Sequence, residues 1–299
     1  MQKNRVCRYI VVFNNAIRTM LQVCSIGFKI RKVPEWRDDM IIDTHAHYDD
    51  EAFNEDRESL LCGMQEAGIE KIVNIGVDLA STKTTVELVK QYDFLYGAVG
   101  VHPSNVKELN EEKFAWLAEQ CTQERIVMVG EIGLDYYWDK DNKEEQIYWF
   151  RRQLQLAAEK DLPVCIHSRD AAQDTYDVLK EEVAAAQMRG QRIRGILHCY
   201  AYGSEMAELF LGLGLYLGIG GVVTFKNAKK LKEVVATMPE NRILLETDCP
   251  YLAPEPHRGS RNSSMYLPLV VKQIAELRGI TEEEVIELTS RNAREVLGF

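Results

Sequence analysis

The sequence predicts an α/β protein that folds as a TIM-like (β/α)8 barrel, and three observations favour this fold. From residue 40 onward, short apolar runs alternate with longer amphipathic segments, which is typical of parallel strands joined by helices. Eight such runs are present, and histidines or acidic residues follow several of them. The 299 residues also suffice for one barrel domain of roughly 250 residues.

The predicted strands are rich in Val, Ile and Leu, as are strands buried on both faces of a parallel sheet. They lie at 41–44, 71–77, 94–101, 126–131, 163–167, 194–198, 215–219 and 242–247. The predicted helices lie at 56–67, 81–91, 110–121, 143–160, 170–186, 204–212, 227–237, 264–278 and 281–296. The last helix begins with a capping box from Thr281 to Glu284. Eight strands that alternate with helices favour a closed barrel over an open sheet.

Charge is unevenly distributed along the chain. Residues 1–39 hold eight Lys and Arg against three Asp and Glu, although the whole chain has a net charge of -10. We predict that this extension is not part of the fold and that residues 40–299 form one barrel domain. Because that domain is acidic, a broad basic face for nucleic acid is excluded, and any phosphate substrate has to be held locally.

No segment reaches the roughly 20 apolar residues that cross a membrane. The seven cysteines form no C-x-x-C pair and no even framework, which indicates reduced thiols. We therefore expect a cytoplasmic protein with no membrane contact and no obligate protein partner. Cys165, Cys199 and Cys249 lie near candidate ligands, but we interpret them as small apolar strand residues rather than thiolate ligands.

The first predicted strand runs into two histidines, His45 and His47, with one residue between them. Residues two apart on a strand point to the same face, so both imidazoles are expected on one side of the barrel mouth. Asp43 is expected on that face as a partner for them. A lone histidine is more often a hydrogen-bonded core residue, but two on one face favour a metal site at the carboxyl ends of the strands.

Further candidate ligands follow later strands. Glu131 ends the fourth strand; it would also suit a turn cap, but beside several histidines a carboxylate that bridges two cations about 4 Å apart is the better interpretation. His167 and His198 supply imidazoles for the second cation. Asp248, at the end of the eighth strand, can bind the first cation and accept a proton from the attacking water. Glu246 lies deeper and is assigned a structural role.

Four other residues are candidates for substrate contacts. Arg169 follows the fifth strand, and Arg258 and Asn262 lie in the loop after the eighth, where they can bind a phosphate. The alternative for each is an ordinary solvated side chain. His102 follows the third apolar run, and it either contacts the substrate or makes a structural hydrogen bond.

These stretches resemble the signatures of the TatD family, metal-dependent deoxyribonucleases of the amidohydrolase superfamily. In chain order they are Ile42-Asp43-Thr44-His45-Ala46-His47, Gly100-Val101-His102-Pro103, Gly130-Glu131-Ile132-Gly133-Leu134-Asp135-Tyr136, Pro163-Val164-Cys165-Ile166-His167-Ser168-Arg169 and Glu246-Thr247-Asp248-Cys249-Pro250-Tyr251-Leu252. The resemblance covers residues 40–299 and implies a TIM-like barrel that hydrolyses DNA phosphodiesters, often as an exonuclease. The implied ligands are His45, His47, Glu131 and Asp248 for one cation, and Glu131, His167 and His198 for the other.

Two stretches depart from the family pattern. Tyr200-Ala201-Tyr202-Gly203 stands where the family usually has an aromatic residue and then Ser-Gly, and Asn262-Ser263-Ser264 stands where it usually has Asn-x-Pro. Both departures concern loops, so the implied ligands are intact and the geometry of the substrate loops is expected to differ.

The predicted function is hydrolysis of DNA by water activated between two divalent cations, with Zn, Mn and Mg as candidates. One alternative keeps the same centre but attacks a carbonyl group, as in the deacylation of a D-aminoacyl-tRNA. Another alternative is a metal-binding interaction module without catalysis, and the complete ligand set argues against it.

Overall fold

Eight parallel strands, numbered in chain order, form one sheet in residues 40–299, the part of the chain that the computed structural model describes. They are β1 Ile41–Ala46, β2 Ile69–Ile75, β3 Leu95–Val99, β4 Ile126–Asp135, β5 Val164–Arg169, β6 Gly195–Leu197, β7 Tyr216–Ile219 and β8 Ile243–Leu245. Ala46 forms a parallel bridge with Cys249, just after β8, so the last strand returns to the first. The predicted barrel is confirmed. The prediction for residues 1–39 lies outside the described residues.

In the described chain seven helices connect successive strands and two more follow β8; their bounds lie within three residues of the predicted ones, except that the first helix ends five residues early. They are α1 Arg57–Cys62, α2 Leu79–Val89, α3 Glu111–Gln120, α4 Lys143–Lys160, α5 Ala172–Met188, α6 Ser204–Gly212, α7 Lys229–Thr237, α8 Leu267–Arg278 and α9 Glu282–Leu297. The predicted capping box of α9 is present, with Thr281 Oγ1 accepting from Glu284 N at 3.1 Å. In residues 40–299 no helix has the length and apolar character needed to cross a membrane.

The amino end of the barrel interior is filled by an apolar layer. Its members are Ile42, Val73, Ile75, Ala98, Met128, Cys165, Ile196, Tyr216 and Leu244 from the strands, and Ala293, Val296 and Leu297 from α9. The last helix closes this end because Ser290 Oγ donates to Met40 O and Asn292 Nδ2 donates to Ile243 O, both at 2.9 Å. Polar residues are therefore left to the other, carboxyl end.

Most strand ends differ from the prediction by one or two residues, and three of the differences affect the polar residues at the carboxyl end. β4 does not stop at Glu131 but continues to Asp135, because it stays paired with β5 through Asp135 and Arg169. β8 stops at Leu245, so Asp248 lies in the loop, in the left-handed region with φ 58°. His102 lies beyond β3 and caps a short 3-10 helix at Pro103–Glu108, where its Nδ1 accepts from Ser104 N.

Candidate metal centre

His45 of β1 and His47, which directly follows the strand, face each other at the carboxyl end of the barrel. Their Nε2 atoms are 3.0 Å apart. The Nδ1 atom of His47 lies 2.9 Å from the carbonyl oxygen of Ile75, which only accepts, so this nitrogen keeps its hydrogen and the neutral ring would bind a cation through Nε2. The Nδ1 atom of His45 lies 3.2 Å from Cys165 Sγ. Both Nε2 atoms are thus available to bind a cation.

Glu131 lies between two groups of these nitrogen atoms. Its Oε2 is 3.5 Å from His45 Nε2 and 3.9 Å from His47 Nε2. Its Oε1 is 2.8 Å from His167 Nδ1 and 3.0 Å from His198 Nε2. Donor atoms about 2.1 Å from a tetrahedral zinc ion are about 3.4 Å apart. The separations on the Oε2 side are close to this spacing, and those on the Oε1 side are hydrogen bonds that a cation could replace. One carboxylate oxygen thus faces each group of nitrogens.

The carboxylate of Asp248 completes the first group. Its Oδ1 is 3.3 Å from His47 Nε2 and 3.5 Å from His45 Nε2. The backbone N–H of Asp248 donates to the carbonyl oxygen of His45 at 2.9 Å, which holds the loop against β1. The fold thus brings together the six residues predicted as ligands. We call them the ligand cluster: His45, His47, Glu131, His167, His198 and Asp248.

Two acidic side chains outside this cluster lie behind its histidines. Asp135 Oδ2 lies 3.1 Å from His167 Nε2, so the opposite ring nitrogen, Nδ1, faces Glu131. Glu246 Oε1 lies 3.7 Å from His198 Nδ1, and both that nitrogen and Glu246 Oε2 are buried without a hydrogen-bond partner. A carboxylate behind a metal-binding imidazole fixes its orientation and raises its basicity. Glu246 therefore has the deeper, supporting position that the sequence predicts.

Protonation of the cluster shows how strongly it attracts positive charge. Burial opposes a charged imidazole, but Asp248 outweighs it and raises the pKa of His47 to about 9. Burial is likewise outweighed at His198, where the charge of Glu131 raises the pKa to about 10. Burial and the charge of His198 lower the pKa of His45 to about 4. At neutral pH His47 and His198 are thus protonated, and their positive charges neutralise Asp248 and Glu131. A bound cation would neutralise the same two carboxylates.

The donor set therefore suits divalent cations. Imidazole nitrogens and carboxylate oxygens bind Zn and Mn well, whereas Mg prefers oxygen ligands alone. Buried carboxylates that face several lone pairs are costly unless positive charge neutralises them. Burial would favour the neutral acid, but the charge of His198 and three histidine hydrogen bonds hold the pKa of Glu131 well below its ordinary value.

Asp135 is a site residue that the sequence analysis missed. Its Oδ1 accepts from the backbone N–H groups of Tyr137 at 2.9 Å and Trp138 at 3.0 Å, while its Oδ2 faces His167. Had β4 been extended to its true end, the two-residue period of a strand would have placed Asp135 on the face of Glu131. The glycine between them, Gly133, hid this signal because it suggests a turn.

Two of the predicted substrate residues lie at the mouth of the barrel. His102 Nε2 is 3.7 Å from Glu131 Oε1, and burial together with the charge of His167 lowers the pKa of His102 to about 3. Because its Nδ1 accepts from Ser104 N, its Nε2 carries the hydrogen of a neutral donor. Arg169 is exposed, and its guanidinium carbon lies 4.1 Å from the ring centre of Tyr137.

The other two predicted substrate residues have different surroundings. Asn262 is buried, and its amide nitrogen donates to the carbonyl oxygens of Thr247 and Tyr251 at 2.9 and 2.8 Å. Since both donors hold the loop after β8, we do not retain Asn262 as a substrate contact. Arg258 is exposed, with its guanidinium carbon 4.3 Å from the ring centre of Phe225.

Asp43 has a different role from the one expected. The register of β1 is irregular between Asp43 and Ala46. The Asp43 carboxylate accepts from Thr247 Oγ1 at 2.7 Å and from Ser264 Oγ at 2.6 Å, and it contacts no imidazole nitrogen. Ser264 N also donates to the Tyr48 hydroxyl at 2.9 Å, a bond that the proline usual in the resembled family cannot make. Asp43 thus joins β1 to the loop after β8.

The thiols near the centre are protonated. Burial raises the pKa of the Cys165, Cys199 and Cys249 thiols, and nearby carboxylates raise it further. A thiol with a raised pKa is a poor metal ligand, because the thiolate is the form that binds. This agrees with their interpretation as small apolar residues.

Comparisons with known proteins agree with this centre. The sequence model described as TatD related DNase matches residues 42–298. An uncharacterized metal-dependent hydrolase, YabD of Bacillus subtilis, is 44% identical over 85% of this chain and 98% of its own. The 3'-5' ssDNA/RNA exonuclease TatD of Erwinia amylovora is 32% identical over 83% of this chain and 95% of its own.

A solved structure has the same fold. The crystal structure of YJJV, a TatD homolog from Escherichia coli K12, superposes with a TM-score of 0.81 at 29% identity. The match covers 88% of this chain and all of the other. With overlapping groups of candidate ligands at the carboxyl ends of the barrel strands, the chain belongs to the TatD family of metal-dependent hydrolases.

Proposed function

We propose that this protein is a deoxyribonuclease that removes nucleotides from DNA and uses two divalent cations. The observation that carries the proposal is the position of Glu131, whose two carboxylate oxygens face separate groups of histidine nitrogens. Two cations in those positions would polarise a phosphodiester and lower the pKa of the attacking water. His45, His47 and Asp248 would hold one cation, His167 and His198 the other, and Glu131 both.

Asp248 is proposed as the general base. Burial would favour the neutral acid, but the hydrogen bond from His47 outweighs it and lowers the pKa of Asp248. The carboxylate is therefore ionised at neutral pH and able to accept a proton from water.

Substrate binding is proposed to be local rather than spread over a basic face. Arg169 forms no ion pair with any described residue, so its charge is available for a phosphate. His102 is proposed to donate a hydrogen bond from Nε2 to a phosphate oxygen. Arg258 remains a weaker candidate because its guanidinium stacks on Phe225. We further propose a cytoplasmic location and no obligate protein partner.

One experiment tests the proposed activity. The full chain is freed of metal, supplied with Zn, Mn or Mg, and given end-labelled single-stranded DNA, RNA and a D-aminoacyl-tRNA in parallel. We expect stepwise shortening of the DNA that requires added cation and stops with chelator, and about two bound cations per chain by elemental analysis. Intact DNA together with release of the amino acid would instead establish the carbonyl alternative.

A further inference from the structure

Two large aromatic side chains are exposed beside the metal centre. Tyr137 is 52% exposed and Trp138 is 69% exposed, in the segment that follows β4. Burial of an aromatic ring stabilises a folded protein, and an exposed pair forgoes that gain. Among the ring contacts of the described residues, Trp138 has only Tyr137, edge to face at 4.8 Å, and Arg169. Most of the indole surface is thus open to a ligand.

The backbone of this pair is attached to the metal centre. Asp135 Oδ1 accepts from the backbone N–H groups of Tyr137 and Trp138, and its other oxygen lies 3.1 Å from His167 Nε2. One carboxylate therefore positions both the two aromatic residues and a ligand histidine. The Tyr137–Trp138 platform, as we call the pair, is held at a defined place next to the ligand cluster.

The guanidinium of Arg169, which has no ion-pair partner among residues 40–299, lies against the platform. The Arg169 guanidinium carbon is 4.1 Å from the ring centre of Tyr137 and 5.6 Å from that of Trp138. Arg169 is the register partner of Asp135 in the β4–β5 pair. No carboxylate of residues 40–299 forms an ion pair with it, although the chain as a whole is acidic. An open aromatic face beside an unneutralised arginine suits a base and its phosphate.

We propose that the Tyr137–Trp138 platform stacks an unpaired nucleobase of single-stranded nucleic acid next to the phosphodiester that is cleaved, with Trp138 as the stacking surface and Arg169 on the backbone phosphate. The inference rests on the proposed function and adds to it the side chains that would hold the base, in agreement with the single-stranded substrate named for the Erwinia relative. Bases in a duplex are already stacked and paired, so only a single strand or a frayed end can reach the indole face.

The test compares Trp138→Ala with the wild-type chain on two single-stranded substrates. One is an ordinary oligodeoxynucleotide, and the other carries abasic tetrahydrofuran residues at its terminal positions. On the ordinary strand we expect kcat/KM to fall about tenfold, equivalent to 1.4 kcal/mol and within the range for base–aromatic stacking. On the abasic strand the ratio of wild type to variant is expected to shrink below about twofold, and Trp138→Phe should recover most of the loss.

Tyr148→Ala is the matched control, because Tyr148 is 47% exposed but lies on α4, where its hydroxyl bonds to Glu111. It should stay within about twofold of wild type on both strands. Equal losses for Trp138→Ala on both strands would indicate a structural role and overturn the proposal, as would a Trp138→Ala variant that matches Tyr148→Ala. If the wild-type chain cleaves neither strand with any cation, the proposed function itself is wrong. This outcome differs from the two that overturn only the platform.

Discussion

The inside of this barrel consists of two layers that the same strands supply, and the layers have opposite chemistry. The apolar layer at the amino end contains residues such as Met128 and Leu244, both with no exposed surface. Three positions after Met128 on β4 lies Glu131, and two positions after Leu244 lies Glu246, at the back of the ligand cluster. Two or three residues along the chain thus separate the apolar layer from the charged one.

The difference between the layers explains how the fold remains stable with a costly cluster of buried polar groups. Buried carboxylates and imidazoles are costly to hold together. Glu246 retains a buried oxygen without a partner, and burial raises its pKa to about 8. The close-packed apolar layer and the helices around the barrel supply the stability that this arrangement lacks. Substitutions in the ligand cluster should therefore reduce metal binding and activity, whereas substitutions in the apolar layer should reduce the free energy of unfolding.

The largest effect is expected for Glu131→Ala in the ligand cluster. Removal of the carboxylate that faces both groups of histidines should reduce bound metal at both positions and lower turnover at least about 10³-fold, the scale on which key electrostatic groups act. Elemental analysis and single-turnover cleavage measure the two quantities. Glu124→Ala is the control because the Glu124 side chain is 81% exposed. A Glu131→Ala variant that keeps both cations would show that the carboxylate does not bridge.

Asp248→Asn should separate catalysis from metal binding. The amide keeps the shape and one oxygen donor but accepts no proton, so metal content should largely persist while the rate falls about 10²–10⁴-fold. The control is Asp93→Asn, at a side chain that is 99% exposed. If Asp248→Asn loses metal as completely as Glu131→Ala, Asp248 is mainly a ligand and another residue is the base.

Leu244→Ala tests the apolar layer. Because Leu244 is fully buried, the loss of its side chain should lower the free energy of unfolding by about 2–5 kcal/mol. Metal content of the folded protein and its rate at 25 °C should stay close to wild type. Leu209→Ala, at a side chain 38% exposed, is the matched control and should cost less than about 0.5 kcal/mol in denaturant unfolding. Loss of metal from folded Leu244→Ala would show that the layers are not separable.

The last prediction concerns the pH dependence of metal binding. Without metal, His47 and His198 have pKa values of about 9 and 10, so both are protonated at neutral pH and a cation must displace those protons. Apparent metal affinity should therefore rise with pH between 6 and 8, by about tenfold per unit for each proton displaced. Calorimetry in buffers of different ionisation enthalpy counts the released protons. An affinity that does not change over this range would contradict the assignment.

Much of the fold could be predicted because its signals are local. The alternation of apolar runs and amphipathic segments located the strands and helices, and the helix signals held well, as the capping box of α9 shows. Strand ends were less predictable, since a strand continues for as long as its neighbour pairs with it. β4 reaches Asp135 only because β5 reaches Arg169.

The sequence by itself determined which residue types follow the barrel strands, and this was enough to assemble the six members of the ligand cluster. Tertiary structure decided what each polar group does there. The carbonyl of Ile75 selects the nitrogen with which His47 faces the centre, and Asp135 selects that of His167. The loop after β8 turns Asn262 inward and leaves Asp248 at the cluster. Such choices depend on contacts between segments far apart in the chain, where a hydrogen-bond partner rather than a local pattern sets the outcome.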